Sequence, residues 1–328
     1  MTILKRRAAV CALFSLAAVF FLAMGEKAAI AGEKNLRARD LKGNVRISGA
    51  WALYPMVVQW GEEFMKQYPQ VRIDVSAGGA GKGMADALAG FVDIGMVSRE
   101  IRKEELDQGA FAIPVVKDAV FPTMNALNPA LQKGLMKKGI RREAFVALWI
   151  KKEKATWGDI SGSSVRDEVA VYTRSDSCGA AETWAAYLGG KQEDLGGVGV
   201  YGDPGLADAV KRDVSGIGYN NLNYAYDMST GRPVEGIIVA PIDMNGNGKL
   251  DPGEDLSTKE KAIKAIQKGV YPSPPVRDLY LVGKGGFKGT AGEFVRWILT
   301  EGQSLVDEAG YVRLSVKSIE ESRAKVGK

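Results

Sequence analysis

The chain has 328 residues with 44 basic and 39 acidic side chains, which gives a formal net charge of +5. It contains no histidine, which excludes Ser-His-Asp and Cys-His catalytic arrangements and removes the commonest zinc ligand. Catalysis by carboxylates or lysine is not excluded, but the composition favours a binding protein over an enzyme. Nucleic-acid binders concentrate their basic residues on one face. Nothing in this sequence suggests such a concentration, so we expect no nucleic-acid partner.

The first 31 residues predict a secretory signal peptide. Three basic residues, Lys5–Arg7, precede an apolar run over residues 8–24, and Ala29–Ala31 supplies a small-x-small cleavage site. A transmembrane anchor is the alternative, but the apolar run is short for a bilayer span. Cys11 lies inside this run, too early for a lipoprotein cysteine. We therefore expect cleavage after Ala31 and a periplasmic protein without stable membrane insertion.

Cleavage changes the charge and the cysteine count. Removal of four basic residues and one acidic residue leaves 40 against 38, a net charge of +2. Cys178 is then the single cysteine, so no intramolecular disulfide can form. The remaining 297 residues are enough to bury a substantial core, and we expect a monomer with two lobes.

Strands and helices alternate in the first part of the mature chain. The predicted elements are a strand at Val45–Ser48, a helix at Tyr54–Met65, and strands at Val71–Ser76 and Val92–Val97. This alternation predicts an α/β fold with a parallel sheet, in which ligands bind beyond the carboxyl ends of the strands. The loops at Gly49, Gly81 and Ser98 lie at such ends. The glycine-rich turn at 77–84 either is a tight strand-to-helix connection or brings backbone N–H groups close to an anion.

A second α/β unit is predicted over residues 119–274. This unit contains a short helix plus turn at Phe145–Trp157 and a strand at Gly216–Tyr219, and beyond it the chain predicts a strand at Leu279–Val282 and a helix at Phe294–Leu305. Its most informative segment is a β-branched run that ends in a loop with Arg174 and Asp176, before a helical pattern that begins near Ala180. A helix start attracts an anion, and an arginine at the strand end can grip an oxyanion at two points. A surface loop with an ordinary arginine is the alternative.

Residues 243–254, DMNGNGKLDPGE, fit the calcium loop of an EF-hand. The pattern predicts a strand before the loop, at 237–242, and a helix after it, at 255–268, so the loop is EF-like rather than a full helix–loop–helix hand. An Asn/Gly-rich turn without metal is the alternative. A single loop predicts Ca²⁺ as a stabiliser rather than a switch. The expected oxygen ligands are Asp243, Asn245, Asn247, the Lys249 carbonyl, Asp251 and Glu254.

Taken in order, the motifs resemble the phosphate-type substrate-binding proteins of ABC transporters, which have the type 2 periplasmic-binding-protein fold. The similar segments are SGAWALYPMVVQW (48–60), SAGGAGKGM (76–84), DIGMVSREI (93–101), EAFVALWIKKEKATWGDI (143–160), TRSDSCGAAETW (173–184), GIGYNNLNYA (216–225), GVYPSPPVRDLYL (269–281) and GQSLVDEAGYVRL (302–314). The resemblance implies two α/β lobes with a central cleft and a hinge. Lobe I would comprise residues 40–120 and 278–328, and lobe II residues 121–277.

The resemblance also implies a set of ligand-binding positions, and this chain keeps only part of it. Arg174 and Asp176 match the family's arginine and aspartate, Ser98 stands at a polar position, and Gly179 retains its backbone N–H. Four positions that carry Ser or Thr in the family do not carry a hydroxyl here. Each missing hydrogen bond to a charged ligand costs about 1.5–3 kcal/mol. We therefore expect that the anion site persists, and we leave open the hypothesis that its specificity has moved from phosphate to another ligand. The remaining positions are Ala50, Trp51, Ala80, Gly81, Cys178 and Ala180, of which Trp51, Ala80, Cys178 and Ala180 are the four without a hydroxyl.

The leading hypothesis is therefore an extracytoplasmic solute-binding protein without catalytic residues. It would capture a small anion, with phosphate as the first candidate, and deliver it to an ABC transporter permease. The alternative is an exported sensor or accessory protein of the same fold with an organic or other oxyanion ligand. A phosphate-ester hydrolase with Cys178 as the nucleophile is disfavoured, because no base stands beside this cysteine in the sequence.

Overall fold

A computed structural model describes residues 41–327 of the chain. The predicted signal peptide and its cleavage site after Ala31 lie outside these residues. None of the helices in the described part is long and apolar enough to cross a bilayer.

Most strands of the described chain join in one mixed sheet that runs through the molecule. The strands are β1 (Gly43–Gly49), β2 (Val71–Ala77), β3 (Ile94–Val97), β4 (Ala110–Asn125), β5 (Ile140–Arg141), β6 (Ala170–Arg174), β7 (Val198–Val200), β8 (Gly216–Asn221), β9 (Ile237–Val239), β10 (Ile242–Asp243) and β11 (Val276–Lys284). The sheet order is β2-β1-β3-β11-β4-β8-β6-β7, with β9 also paired to β4, and β5 and β10 form a separate pair.

Helices pack along this sheet. They are α1 (Tyr54–Gln67), α2 (Ala80–Ala89), α3 (Lys103–Asp107), α4 (Leu135–Lys138), α5 (Arg142–Phe145), α6 (Trp157–Ser161), α7 (Gly179–Leu188), α8 (Gly202–Arg212), α9 (Leu222–Ala225), α10 (Lys259–Gln267), α11 (Gly289–Ile298) and α12 (Val316–Val326). A π-helical turn at Val146–Ile150 continues α5, and 3₁₀ turns lie at Pro129–Leu131, Gln192–Asp194, Pro252–Glu254 and Glu301–Leu305.

Two hydrophobic cores divide the chain into two lobes. The first core takes residues from 45–116 and 279–326, and the second takes residues from 119–276 together with Val312. The amphipathic helix α1 buries Trp60 and Phe64 in the first core, where Phe64 packs on Phe294 with ring centroids 5.0 Å apart. The rings of Trp149, Trp184 and Tyr219 pack against one another in the second core.

Strands β4 and β11 connect the lobes. From Ala110 to Ala119, β4 pairs antiparallel with β11, and from Val120 to Asn125 it pairs with β8 and β9. One strand therefore belongs to both lobes, and residues near 118 on β4 and 277 on β11 lie at the hinge. Two α/β lobes joined by shared strands are the arrangement that the resemblance to the type 2 periplasmic-binding-protein fold implies.

The structure corrects several element predictions. The sheet is mixed rather than parallel: β1, β2 and β3 are parallel neighbours, but β11 is antiparallel to both β3 and β4. The helix predicted to extend to Leu305 ends at Ile298, where the chain turns at Thr300 into a 3₁₀ segment. Strand β4 has a nearly continuous buried run rather than an alternating one, which explains why no strand was predicted there.

Candidate functional site

The Arg174 segment forms a strand, a loop and a helix start. Arg174 is the last residue of β6, and its backbone N–H donates to the Tyr219 hydroxyl of β8 at 3.1 Å. Helix α7 begins at Gly179, one residue earlier than predicted. The Cys178 sulfur caps this helix by accepting from the Ala181 backbone N–H at 3.4 Å. The predicted local unit is therefore present.

The guanidinium of Arg174 is fully buried and paired with two carboxylates. Its Nε and Nη2 donate to the Asp176 carboxylate at 2.7 and 2.6 Å, and Nη1 donates to Asp203. Burial by itself lowers the pKa of Arg174, but the attraction of Asp203 and Asp176 outweighs it, and the pKa lies above its ordinary value. One positive charge therefore faces two negative charges, and three of its N–H groups are already engaged by the protein.

Asp203 is a central residue of this cluster that the sequence reasoning missed. It lies in the first turn of α8, and its carboxylate also accepts from the backbone and side chain of Asn221 at 3.0 and 2.8 Å. The Asp203-Pro204-Gly205 sequence indicates a helix start. Nothing local indicates that this acid pairs with an arginine 29 residues away.

Loops of the two lobes touch directly beside this cluster. The backbone N–H of Gly81 in the first lobe donates to the Ser177 carbonyl of the second at 3.3 Å. A Cβ on Gly179 would collide with Ser98, and a Cβ on Gly79 would lie 2.6 Å from the Ser177 carbonyl oxygen. Only glycine permits such close approaches. Predicted residues from the second and third loops thus meet the β6–α7 loop.

The three alanines among the predicted positions are buried at the same junction. Ala80 and Ala180 lie in the first turns of α2 and α7, and Ala50 donates its N–H to the Met96 carbonyl at 2.9 Å. Their side chains have no polar atom, so a ligand could contact only their backbone groups.

Trp51 also reaches across to the second lobe. Its ring packs against Gly202, where an added Cβ would lie 3.2 Å from the indole, and it meets the Tyr201 ring edge-on at 6.2 Å. The Gly202 N–H donates in turn to Asp176 at 3.1 Å. Trp51 therefore packs on Gly202, whose N–H binds Asp176, one of the two carboxylates that pair with Arg174.

Ion pairs join the lobes on the outer side of these loops. Glu182, in the first turn of α7, lies 3.1 Å from Arg99 and 3.1 Å from Arg102 of the first lobe. Arg99 is buried and also pairs with Glu105. These residues were not predicted, and their contacts favour the arrangement in which the lobes are in contact.

The hinge carries a second buried charge pair. Arg277 of β11 lies opposite Asp118 of β4, with Nη2 at 3.3 Å from the Asp118 carboxylate, and Nη2 also donates to Asn221. Burial raises the pKa of Asp118 to about 6, although Arg277 opposes this. Burial also lowers the pKa of Arg277 below its ordinary value, with Asp118 opposing. Through Asn221 this pair is connected to Asp203.

A cavity of about 410 Å³ beside the hinge does not coincide with the predicted site. It is lined by cations and acids that largely neutralise one another, for example Lys117 with Asp278 and Arg99 with Glu182. None of the ligand positions implied by the resemblance lines it. The ligand positions implied by the resemblance therefore lie at the loops, whereas Arg277 of the hinge lines this cavity.

Cys178 is unsuited to nucleophilic attack. Its side chain is buried, and burial raises the pKa of the thiol to about 12, with the Arg174 charge opposing. The thiol is therefore protonated near neutral pH, whereas nucleophilic cysteines react as thiolates.

In the EF-like loop, the predicted ligands are close together and hydrogen-bonded within the loop. Asp243 accepts from the backbone N–H groups of Asn247 and Gly248 at 3.1 and 2.8 Å, and Glu254 accepts from that of Asn245 at 3.1 Å. Asp251 accepts from both Asn side chains at 2.8 Å. The helix predicted from residue 255 begins only at 259. Within residues 41–327, no three His, Cys, Asp or Glu side chains are placed to hold a metal by themselves.

The comparisons with known proteins agree on one family. Residues 37–301 match the family model of the PBP superfamily domain. The chain is 26% identical over 272 residues to the phosphate-binding protein PstS of Bacillus subtilis, covering 82% of this chain and 80% of that protein. It is 25% identical over 285 residues to the protein SphX of Synechococcus elongatus, covering 84% and 78%.

Solved structures show the same fold. A phosphate ABC transporter substrate-binding protein from Clostridium perfringens, crystallised with bound phosphate, superposes with a TM-score of 0.67 at 20% identity, covering 83% of this chain and all of that one. An ABC-type phosphate transport receptor from Vibrio cholerae gives a TM-score of 0.58 at 16% identity, covering 82% and 100%. With its two lobes, its hinge and a family match over most of its length, the chain belongs to the PBP superfamily.

Proposed function

We propose that the protein is an extracytoplasmic solute-binding protein that captures a small anion between its lobes and delivers it to an ABC transporter. The observation that supports this most is the meeting of loops from both lobes around the buried cluster of Arg174, Asp176 and Asp203. Phosphate is the first candidate, because relatives from several bacteria are named for phosphate binding. Such a protein binds without chemistry, in keeping with the protonated thiol of Cys178.

A different oxyanion is the second candidate for the same site. Trp51, Ala80, Cys178 and Ala180 offer no hydroxyl group, and Arg174 is already paired with two carboxylates. Both features weaken a site for a multiply charged anion, since a buried oxyanion needs nearly all its lone pairs satisfied. An exported sensor or accessory protein with such a ligand would have the same fold.

A thermal-shift screen tests anion capture. Mature protein, residues 32–328, is melted with phosphate, sulfate, molybdate and small organic acids in turn. A true ligand raises the melting temperature saturably, because it binds only the folded state. A shift with phosphate alone supports the first candidate, and a shift with another anion supports the second. If no anion shifts the melting temperature, the proposed function is wrong.

We propose further that export ends in the periplasm and that the protein acts as a monomer. The predicted signal peptide supports the first point. Fractionation of cells that express the full chain should give a periplasmic product that begins at residue 32. Light scattering of this product should give the mass of a single chain, and a membrane-bound or dimeric product would contradict the proposal.

We also propose that the EF-like loop binds Ca²⁺ structurally. Its donor set, three carboxylates, two amides and one carbonyl, is the oxygen-rich set that Ca²⁺ prefers, and the carboxylates of Asp243 and Glu254 are buried. The Arg141 guanidinium lies 3.5 Å from Asp243 and opposes the cation. Calcium should raise the melting temperature and a chelator should reverse the rise, while Glu254→Gln should abolish the response. An identical melting temperature in calcium and in chelator would contradict the proposal.

A further inference from the structure

Buried polar atoms without a partner concentrate between the lobes. Within residues 41–327, six buried side-chain nitrogen or oxygen atoms have no hydrogen-bond partner, and five of them belong to Trp51, Asn223 and Arg277. The sixth is the indole nitrogen of Trp184, in the core of the second lobe. An unsatisfied buried donor costs about 1–3 kcal/mol. A group of such donors in a cleft therefore points to a partner that is not part of the chain.

The three residues come from three different parts of the cleft. Trp51 belongs to the first lobe, Asn223 lies on α9 of the second, and Arg277 lies on the hinge strand β11. The Tyr224 hydroxyl, next to Asn223, reaches the Trp51 carbonyl at 3.4 Å. The Asn223 amide also lies near the hydroxyl of Tyr311, which itself donates to the carbonyl of the residue after Trp51 at 2.7 Å. These contacts bring the first two residues together.

Arg277 is joined to the same region through its one engaged nitrogen. Its Nη2 donates to Asn221, whose amide donates to Asp203, and Asp203 follows the Gly202 on which the Trp51 ring packs. Nε and Nη1 meet no acceptor in the described part of the chain, although only 9% of the residue is exposed. Three N–H bonds of a buried cation are thus unpaired.

The two buried arginines therefore differ in what they can offer a ligand. Arg174 is surrounded by Asp176 and Asp203, which engage every one of its nitrogen atoms. Among the described residues, Arg277 has one carboxylate within ion-pair distance, Asp118 at 3.3 Å, with Asp203 acting from further away, and two of its nitrogen atoms have no partner. The guanidinium nitrogen atoms that have no partner therefore belong to Arg277 at the hinge and not to Arg174 in the loop.

We propose that the negative group of the ligand is bound by Arg277 and by the Trp51 indole N–H, with Arg174 as a positioning residue that holds Asp176 and Asp203. The inference rests on the proposed function and identifies the donors of that site. The ligand is an oxyanion, either a phosphate or a carboxylate, with oxygen atoms that reach both donors. The Asn223 amide adds an NH₂ donor group and a carbonyl acceptor, which suits an oxyanion that also carries an O–H group. Since the donors come from both lobes and the hinge, the ligand stabilises the closed arrangement.

Calorimetric titration of the mature protein tests the assignment. Inorganic phosphate and malate are titrated separately, and the anion that binds identifies the source of the oxyanion. Trp51→Phe removes the indole N–H and keeps an aromatic ring, and Arg277→Lys keeps the charge and loses the free nitrogen pair. Trp184→Phe is the matched control, because it removes the unpartnered indole N–H that lies outside the cleft. Melting curves verify that each variant folds.

The expected result is a rise in Kd of about 10-fold or more for Trp51→Phe and for Arg277→Lys, as for a lost hydrogen bond to a charged group. Trp184→Phe should bind like the wild type. If the wild type binds either anion and both cleft variants keep its affinity, the donor assignment is wrong and the proposed function stands. If the wild type binds neither anion, the donor assignment fails, whereas the anion-binding function fails only if no anion of the thermal-shift screen raises the melting temperature. If Arg277→Lys does not fold, the comparison of the Kd of Trp51→Phe with that of Trp184→Phe decides the question.

Discussion

Replacement of Arg174 by methionine should destabilise the second lobe strongly. The substitution leaves the carboxylates of Asp176 and Asp203 buried without their cation, although Asp203 keeps its two bonds from Asn221. Removing one partner of a buried ion pair costs about 3–5 kcal/mol. At about 2–4 °C per kcal/mol for a chain of this size class, the melting temperature should fall by about 6–20 °C. Urea unfolding of the mature protein at pH 7, followed by circular dichroism, measures the free energy directly.

An exposed ion pair supplies the matched control. Arg212 lies 2.8 Å from Asp208 one turn away on α8, and both side chains are largely exposed. Arg212→Met should therefore cost less than about 1 kcal/mol. The double variant with Arg174→Met and Asp203→Asn should regain part of the loss, because it removes one of the orphaned carboxylates. If Arg174→Met costs no more than Arg212→Met, the arginine is not the buried counter-ion described here.

Three further outcomes are expected. Burial raises the pKa of Asp118 to about 6, with Arg277 opposing this shift and the nearby Asp203 adding to it. The native state therefore holds the proton more tightly than the unfolded state, in which the pKa of an aspartate is about 3.9. Wild-type stability should then fall by about 2 kcal/mol as the pH rises from 4 to 7, relative to an Asp118→Asn variant; parallel urea titrations of the two proteins would contradict this. Glu182→Gln removes the charge that pairs with two arginines of the first lobe, and this should favour the open form. The Kd of the anion should therefore rise about 2–5-fold, and an unchanged Kd in calorimetry would show that these ion pairs do not stabilise the closed form. The thiol of Cys178, buried and with a pKa of about 12, should resist Ellman's reagent in the native protein and react in urea, whereas rapid native reaction would show that it is exposed.

The first lobe could be predicted well from the sequence because its signals are local. Strands β1 and β2 have β-branched runs between glycine-rich turns, and α1 has an apolar face with Trp60 and Phe64. The Arg174 loop was likewise predicted as a strand end followed by a helix start. The order of these motifs along the chain was enough to indicate the fold family. Each of these features depends on neighbours within a few residues.

The charge balance of the site could not be predicted in the same way. The partners of Arg174 and Arg277 include Asp203, 29 residues from Arg174, and Asp118, 159 residues from Arg277. Such pairs form only once β4, β8 and β11 lie side by side. The sequence predicted Arg174 as an anion ligand that Asp176 orients, and the structure pairs it with Asp176 and also with Asp203, which was not predicted. The free nitrogen atoms of Arg277 carry no local sequence signal at all.

A crystal structure of the mature protein grown with phosphate tests the central claim most directly. We expect density for the anion between the lobes, within hydrogen-bond distance of Arg277 Nε or Nη1 and of the Trp51 indole nitrogen, with Arg174 still paired with Asp176 and Asp203. An anion bound outside the cleft, or a cleft without density at saturating phosphate, would contradict the claim that this protein captures a phosphate-type anion between its lobes.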